Sequence, residues 1–172
     1  MDRRVAFKRG ETQTDSPPLD QMISFRVSRL QSKLNAQAIK ILKEHADLTP
    51  TQWRVLVMLE TQGECTSSEI ARTTQLDKGL LSRTIKGMMQ TRLIKGRPSK
   101  TNKRHVLLRL TDAGRGAYER ARPCMQERHD LLLNNLSAQE RRTMFDIFDK
   151  LEESIGGAEA ATGETKAGGN GR

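Results

Sequence analysis

Apolar residues recur along this chain with a helical period, interrupted by two short alternating runs. Between about Leu19 and His45 they fall at Ile23, Val27, Leu30, Leu34, Ala38, Ile41 and Leu42, a spacing near 3.6 that predicts one long amphipathic helix. The next helix carries its own start signal: Thr49 as N-cap, Pro50 at the first helical position, Gln52 to close a capping box, and Leu48 with Trp53 as a hydrophobic staple. It stops near Gly63. The same code follows at once, with Thr66 as N-cap, Glu69 three residues on and Cys65 with Ile70 as the staple, opening a short helix to about Thr73. After a turn through Thr74, Gln75 and Leu76, Asp77 is placed to cap a helix to about Arg92, whose inward stripe is Leu81, Ile85, Met88 and Met89.

The period then changes. Ile94 to Pro98 and His105 to Leu110 read as strands, the second turning Val106, Leu108 and Leu110 inward and Leu107 and Arg109 outward, with six polar residues from Ser99 to Arg104 as a hairpin tip. Thr111 caps a helix from Asp112 to about Asn135, and Ser137 with Glu140 forms a capping box for a last helix ending near Ile155. That helix carries Met144, Phe145, Phe148, Leu151 and Ile155 on one side. The predicted fold is mainly α with a small β-hairpin wing: a winged helix-turn-helix at about 49–111, flanked by terminal helices at about 19–45 and 112–155. These helices have more apolar stripe than so small a unit can cover, which predicts a homodimer built on them. Residues 1–18 and 156–172, poor in large apolar side chains, read as a disordered arm and tail around a single domain at 19–155.

Composition narrows the partners. No stretch approaches the roughly 18 to 20 apolar residues of a membrane span, and Met1 to Gly10 is basic and polar rather than signal-like, so a soluble cytoplasmic protein is expected. The formal net charge is +9. Eleven lysines and arginines lie between Arg72 and Arg109 against Asp77 alone, so this segment holds the whole positive excess. Clustered cations of this kind favour a polyanion, because they neutralise phosphates and release condensed counterions.

The block coincides with the helix-turn-helix and the wing. A recognition helix offers its exposed face to the major groove, and here that face carries Lys78, Gly79, Ser82, Arg83, Lys86 and Gln90. Arg83 suits a bidentate contact to guanine, Ser82 and Gln90 reach bases or phosphates, and Lys78 and Lys86 anchor the backbone. Gly79 either permits close backbone approach or is merely tolerated in the helix. At the wing, Arg97, Lys100, Asn102, Lys103 and Arg104 make a basic, polar tip suited to the minor groove, with Arg104 the first choice for insertion. For each residue alone, a solvated surface is the competing reading. The basic Arg3, Arg4, Lys8 and Arg9 of the arm have the charge to touch a DNA backbone, but an unstructured leader is the favoured reading.

The succession Leu48-Thr-Pro-Thr-Gln-Trp-Arg-Val-Leu56, Ser68-Glu-Ile-Ala71, Leu81-Ser-Arg83 and Leu110-Thr-Asp-Ala-Gly-Arg115 resembles the MarR family of regulators over roughly Leu19 to Ile155. The resemblance implies a triangular dimer with interlocked terminal helices, and a palindromic double-stranded DNA operator. It also implies a small-molecule effector, often an aromatic acid or a thioester, that binds between the dimerisation helices and the winged unit and releases the DNA. Arg26, Arg29, His45, Trp53 and Arg54 are the candidates for gripping such an effector, although Trp53 also serves as a core staple. Where many relatives carry two aspartates before the wing arginine, this chain has Ser99 and Asn102, so Arg104 lacks the usual carboxylate clamp and Asn102 is left to accept its hydrogen bond.

Enzymatic activity is not expected, nor is a cofactor or metal: His45, His105 and His129 lie in three different elements, and there is no glycine-rich nucleotide loop. The alternative to a regulator is a winged-helix module that docks protein or RNA without operator specificity. Redox sensing is a narrower variant. Cys65 sits beside a helix N-terminus but in a staple position, and Cys124 lies mid-helix, so both read as packing residues.

Overall fold

The computed structural model describes residues 18–99 and 105–164, with side chains as far as Ile155. A 3-10 turn at Leu19–Gln21 leads into α1 (Ile23–Ala46), followed by α2 (Pro50–Gln62), β1 (Cys65–Thr66), α3 (Ser67–Thr74), α4 (Lys78–Gln90), β2 (Ile94–Pro98), β3 (Val106–Leu110), α5 (Asp112–Leu133) and α6 (Ala138–Glu164). Local chemistry starts each inner helix. Thr49 Oγ1 accepts from Gln52 N at 3.2 Å while Thr49 N donates to Gln52 Oε1 at 2.8 Å, and Thr66 with Glu69 repeats this reciprocal pair. Ser137 and Glu140 repeat it again before α6, where Ser137 N donates to Glu140 Oε2 at 2.8 Å.

The core lies where helices α1 to α5 and the sheet converge, on the fully buried Leu42, Val55, Leu56, Ile70, Leu81, Met88 and Ile94. Ala38 of α1 and Ala117 and Ala121 of α5 are buried, small side chains that let these two helices pack closely. Trp53 stacks on Tyr118 with ring centroids 5.3 Å apart, joining α2 to α5. The sheet has order β1-β3-β2, antiparallel throughout, with Cys65 opposite Leu108 and Ile94 opposite Leu110.

One close approach ties the wing to the long helix after it. Thr111 Oγ1 donates to the carbonyls of Arg92 and Leu93 at 2.6 and 3.1 Å, and accepts from Gly114 N at 3.1 Å. A Cβ at position 114 would lie 1.9 Å from the Leu93 carbonyl oxygen, so only glycine lets α5 begin against the end of α4.

Several expectations need correction. The two-residue strand β1 has no counterpart in the elements that the sequence pattern predicts. Met89 is exposed rather than part of the inward stripe, because the stripe that meets the core is Leu81, Ile85 and Met88. Val106 is likewise exposed, since it lies at the outer end of β3, beyond the core that covers Leu108. The leading helix begins only at Ile23, after the 3-10 turn, and α6 continues past Ile155 to Glu164. The arm at residues 1–17, the wing-tip positions Lys100, Asn102, Lys103 and Arg104, and the tail beyond 164 lie outside the described residues.

Candidate nucleic-acid interface

The helix-turn-helix is built on short-range devices. Asp77 Oδ1 accepts from Leu80 N at 2.7 Å, capping α4, and Gln75 takes the left-handed conformation that ends α3. Leu81, Ile85 and Met88 anchor one side of α4 in the core, which turns Lys78, Gly79, Ser82, Arg83, Lys86 and Gln90 to the surface. All six recognition-helix residues expected from the sequence therefore share one exposed face. Among the described residues, Lys78, Arg83 and Lys86 form no ion pair, so their charges are available to a ligand.

Gly79 gains a specific reason. A Cβ there would sit 3.2 Å from the capping Asp77 Oδ1, a tight contact, and 3.6 Å from Arg83 Nη1, an ordinary one, so the glycine spares the cap. Between α3 and α4 runs a concavity of about 940 Å³ lined by Ser67, Ser68, Arg72, Gln75, Lys78 and Ser82, among others. Ser67, Ser68, Arg72 and Gln75 are absent from the site residues expected on sequence grounds, Arg72 having counted only towards the basic block. The signal of the other three is weak, because small polar residues in the first and last turns of a helix are also ordinary capping residues.

At the wing, the strand register places Lys95 opposite Arg109 and Arg97 opposite Leu107, on the face away from the buried Ile94 and Leu108. Arg97 is a partial departure from expectation. Its guanidinium is held by Glu64 through two hydrogen bonds, Nε to Oε1 at 2.9 Å and a second from Nη2 to Oε2, with Arg109 Nε 3.9 Å from the same carboxylate. Arg97 therefore meets a protein carboxylate rather than standing open to DNA. The hydrogen bond from Arg97 holds the Glu64 carboxyl below the usual glutamate range.

The effector candidates separate. Trp53 and Arg54 line a cavity of about 430 Å³ between α1, α2, α5 and α6, whereas Arg26, Arg29 and His45 are exposed and outside its lining. The cavity instead contains Arg128, which in the sequence is one more charge on a long helix. Arg128 Nη2 donates to the Leu34 carbonyl at 2.8 Å, its Nε is buried without a hydrogen-bond partner, and burial lowers its pKa. Among the described residues, none that lines this cavity is acidic. Cys65 is buried, and desolvation, with Glu69 nearby, raises its thiol pKa, the reverse of what a reactive thiolate needs.

Among the described residues, no group of three histidine, cysteine, aspartate or glutamate side chains is arranged to hold a metal, and no helix is long and apolar enough to cross a membrane.

Comparison with known proteins agrees with this geometry. Residues 46–105 match the profile of the MarR family. The chain is 29% identical to the HTH-type transcriptional regulator BilQ of Clostridium symbiosum over 51% of its own length, spanning 60% of that relative. It is 23% identical to the HTH-type transcriptional repressor NicR of Pseudomonas putida, over 84% of this chain and 95% of that one. Among solved structures it resembles a mutant of MarR from Escherichia coli complexed with operator DNA, at 26% identity and a TM-score of 0.63, covering 79% of this chain and 99% of that one.

Proposed function

We propose that this chain, whose residues 46–105 match the MarR family of winged helix-turn-helix regulators, is a homodimeric, sequence-specific repressor that binds a palindromic operator and is released by a small acidic effector. The observation that carries the DNA-binding part is the exposed face of α4, where Lys78, Arg83 and Lys86 stand without ion pairs beside Ser82 and Gln90. A helix so presented fits the major groove, with Arg83 reading a base and the lysines neutralising phosphates. No catalytic step is assigned to any residue.

Dimerisation is supported by apolar side chains that their own chain leaves uncovered. Ile23, Val27 and Leu30 of α1, Leu131 of α5, and Phe145, Ile147, Phe148 and Ile155 of α6 are all exposed. A second copy covering these terminal helices would remove them from water and set two α4 helices at a fixed separation.

The effector reading rests on the cavity around Arg128. A half-buried guanidinium whose Nε is buried and unpartnered, with no acid among the described residues lining its cavity, favours an anion, and the Trp53 ring in the same lining favours a flat apolar body on that anion. Footprinting on the DNA flanking its coding sequence, with and without a panel of aromatic carboxylates, tests the proposal. Two protected half-sites are expected, centred about 10 bp or a multiple apart, with protection lost on adding one of the acids. Binding to random duplex that does not weaken as salt rises would refute the DNA-binding reading in favour of a docking module.

A further inference from the structure

We infer that Glu64 is a positioning residue that determines specificity: its carboxylate withholds Arg97 from DNA phosphates, so that the duplex is engaged through α4 rather than through the flank of the sheet. This rests on the DNA-binding reading above and goes beyond it, because it concerns a face of the wing that the recognition helix does not include.

The geometry is particular. Glu64 immediately precedes β1, one edge of the sheet, and Arg97 lies in β2, the other edge. Thr66 of β1 and Arg97 of β2 are both opposite Leu107 of the central strand β3. The two-point contact between Glu64 and Arg97 therefore crosses β3, joining the two edges of the sheet on the face that carries Leu107 and Arg109. Arg109 approaches the same carboxylate at 3.9 Å, and Lys95 shares the face. One acid thus touches two members of a cationic trio.

Both side chains of the pair remain partly exposed, 40% for Arg97 and 30% for Glu64. Ion pairs this accessible add little to folding stability, so the main consequence is which anion Arg97 meets. Three unpaired cations on a β-face would hold phosphates of any sequence, because backbone contacts carry no base information. Held by Glu64, Arg97 contributes neither to that non-specific attraction nor to its salt dependence.

The test is fluorescence anisotropy of the full chain on a random-sequence duplex and on the footprinted duplex, across a salt series. Four proteins are compared: wild type, Glu64→Gln, Arg97→Gln and the double variant. In Glu64→Gln the released Arg97 should add one phosphate contact, tightening random-duplex binding by about 8-fold at 0.1 M salt, steepening the log–log salt slope by about 0.9 and shrinking the preference for the footprinted site. Arg97→Gln alone should leave the slope at its wild-type value, and in the double variant the slope should return to it. An unchanged slope in Glu64→Gln, or a shallower one in Arg97→Gln alone, overturns the inference while leaving the DNA-binding reading intact. If the wild type binds neither duplex, that reading itself fails and this one with it.

Discussion

Replacing Gly114 by alanine is the severest test of how the wing is joined to the long helix α5. The added Cβ would lie 1.9 Å from the Leu93 carbonyl oxygen and 2.9 Å from its carbon, so the start of α5 and the end of α4 must separate by more than 1 Å, roughly, to reach an ordinary contact. That movement strains the Thr111 hydroxyl's bifurcated bond to Arg92 and Leu93, one shared proton worth about 0.5–1.5 kcal/mol in all, and overpacking adds about 1–3 kcal/mol. Against this, alanine gains about 0.8–1 kcal/mol over glycine in helix propensity. The net expectation is a loss of about 0.5–3.5 kcal/mol. Gly87→Ala is the matched control, since a Cβ there meets nothing within 4 Å and the propensity gain stands alone. Chemical denaturation of both variants at one fixed protein concentration, which matters for the proposed dimer, reads the difference. If Gly114→Ala is as stable as Gly87→Ala, the Leu93 carbonyl is not where the fold requires it, and the account of the wing-to-helix junction fails.

On the DNA face, Arg83→Ala should cost about 1–3 kcal/mol on the operator and relax preference at one position, while Lys86→Ala should weaken all duplexes alike and flatten the salt slope; equal losses for Arg83→Ala on operator and random DNA would remove its base-reading role. In the cavity, Arg128→Met replaces a half-buried cation whose Nε is unpartnered, so thermal stability of the ligand-free protein should change little while release of DNA by aromatic carboxylates is lost. Retained release would place the effector elsewhere. Glu69 and Glu140 both have depressed pKa values, because Thr66 and Ser137 donate hydrogen bonds to their charged forms. The stability they contribute is complete above the ordinary glutamate range of about 4.3 and is lost as pH falls through the depressed folded values. Melting temperature should accordingly drop on acidification below about pH 4.5, and less steeply in a Glu69→Gln, Glu140→Gln double variant, in which glutamine can still close both capping boxes. An acid limb identical to wild type in that variant would contradict the assignment.

What the amino-acid sequence determined by itself is whatever depends on residues three or four apart. The capping boxes at Thr49, Thr66 and Ser137, the Asp77 cap, and the apolar spacing of α1 to α6 are legible because donor, acceptor and period all lie within one or two turns. From those followed the order of elements and the exposed set on α4, where burying Leu81, Ile85 and Met88 leaves Lys78, Arg83 and Lys86 no other side. Tertiary structure decided everything that required two distant segments to meet. β1 is too short to show a period and exists because β3 offers it an edge. Glu64 finds Arg97 33 positions away, Arg128 finds the Leu34 carbonyl 94 away, and Gly114 needs its missing Cβ only because Leu93 is packed against it. Met89 and Val106 satisfy their local patterns yet stay exposed, since burial depends on what packs against a face and not on the face alone.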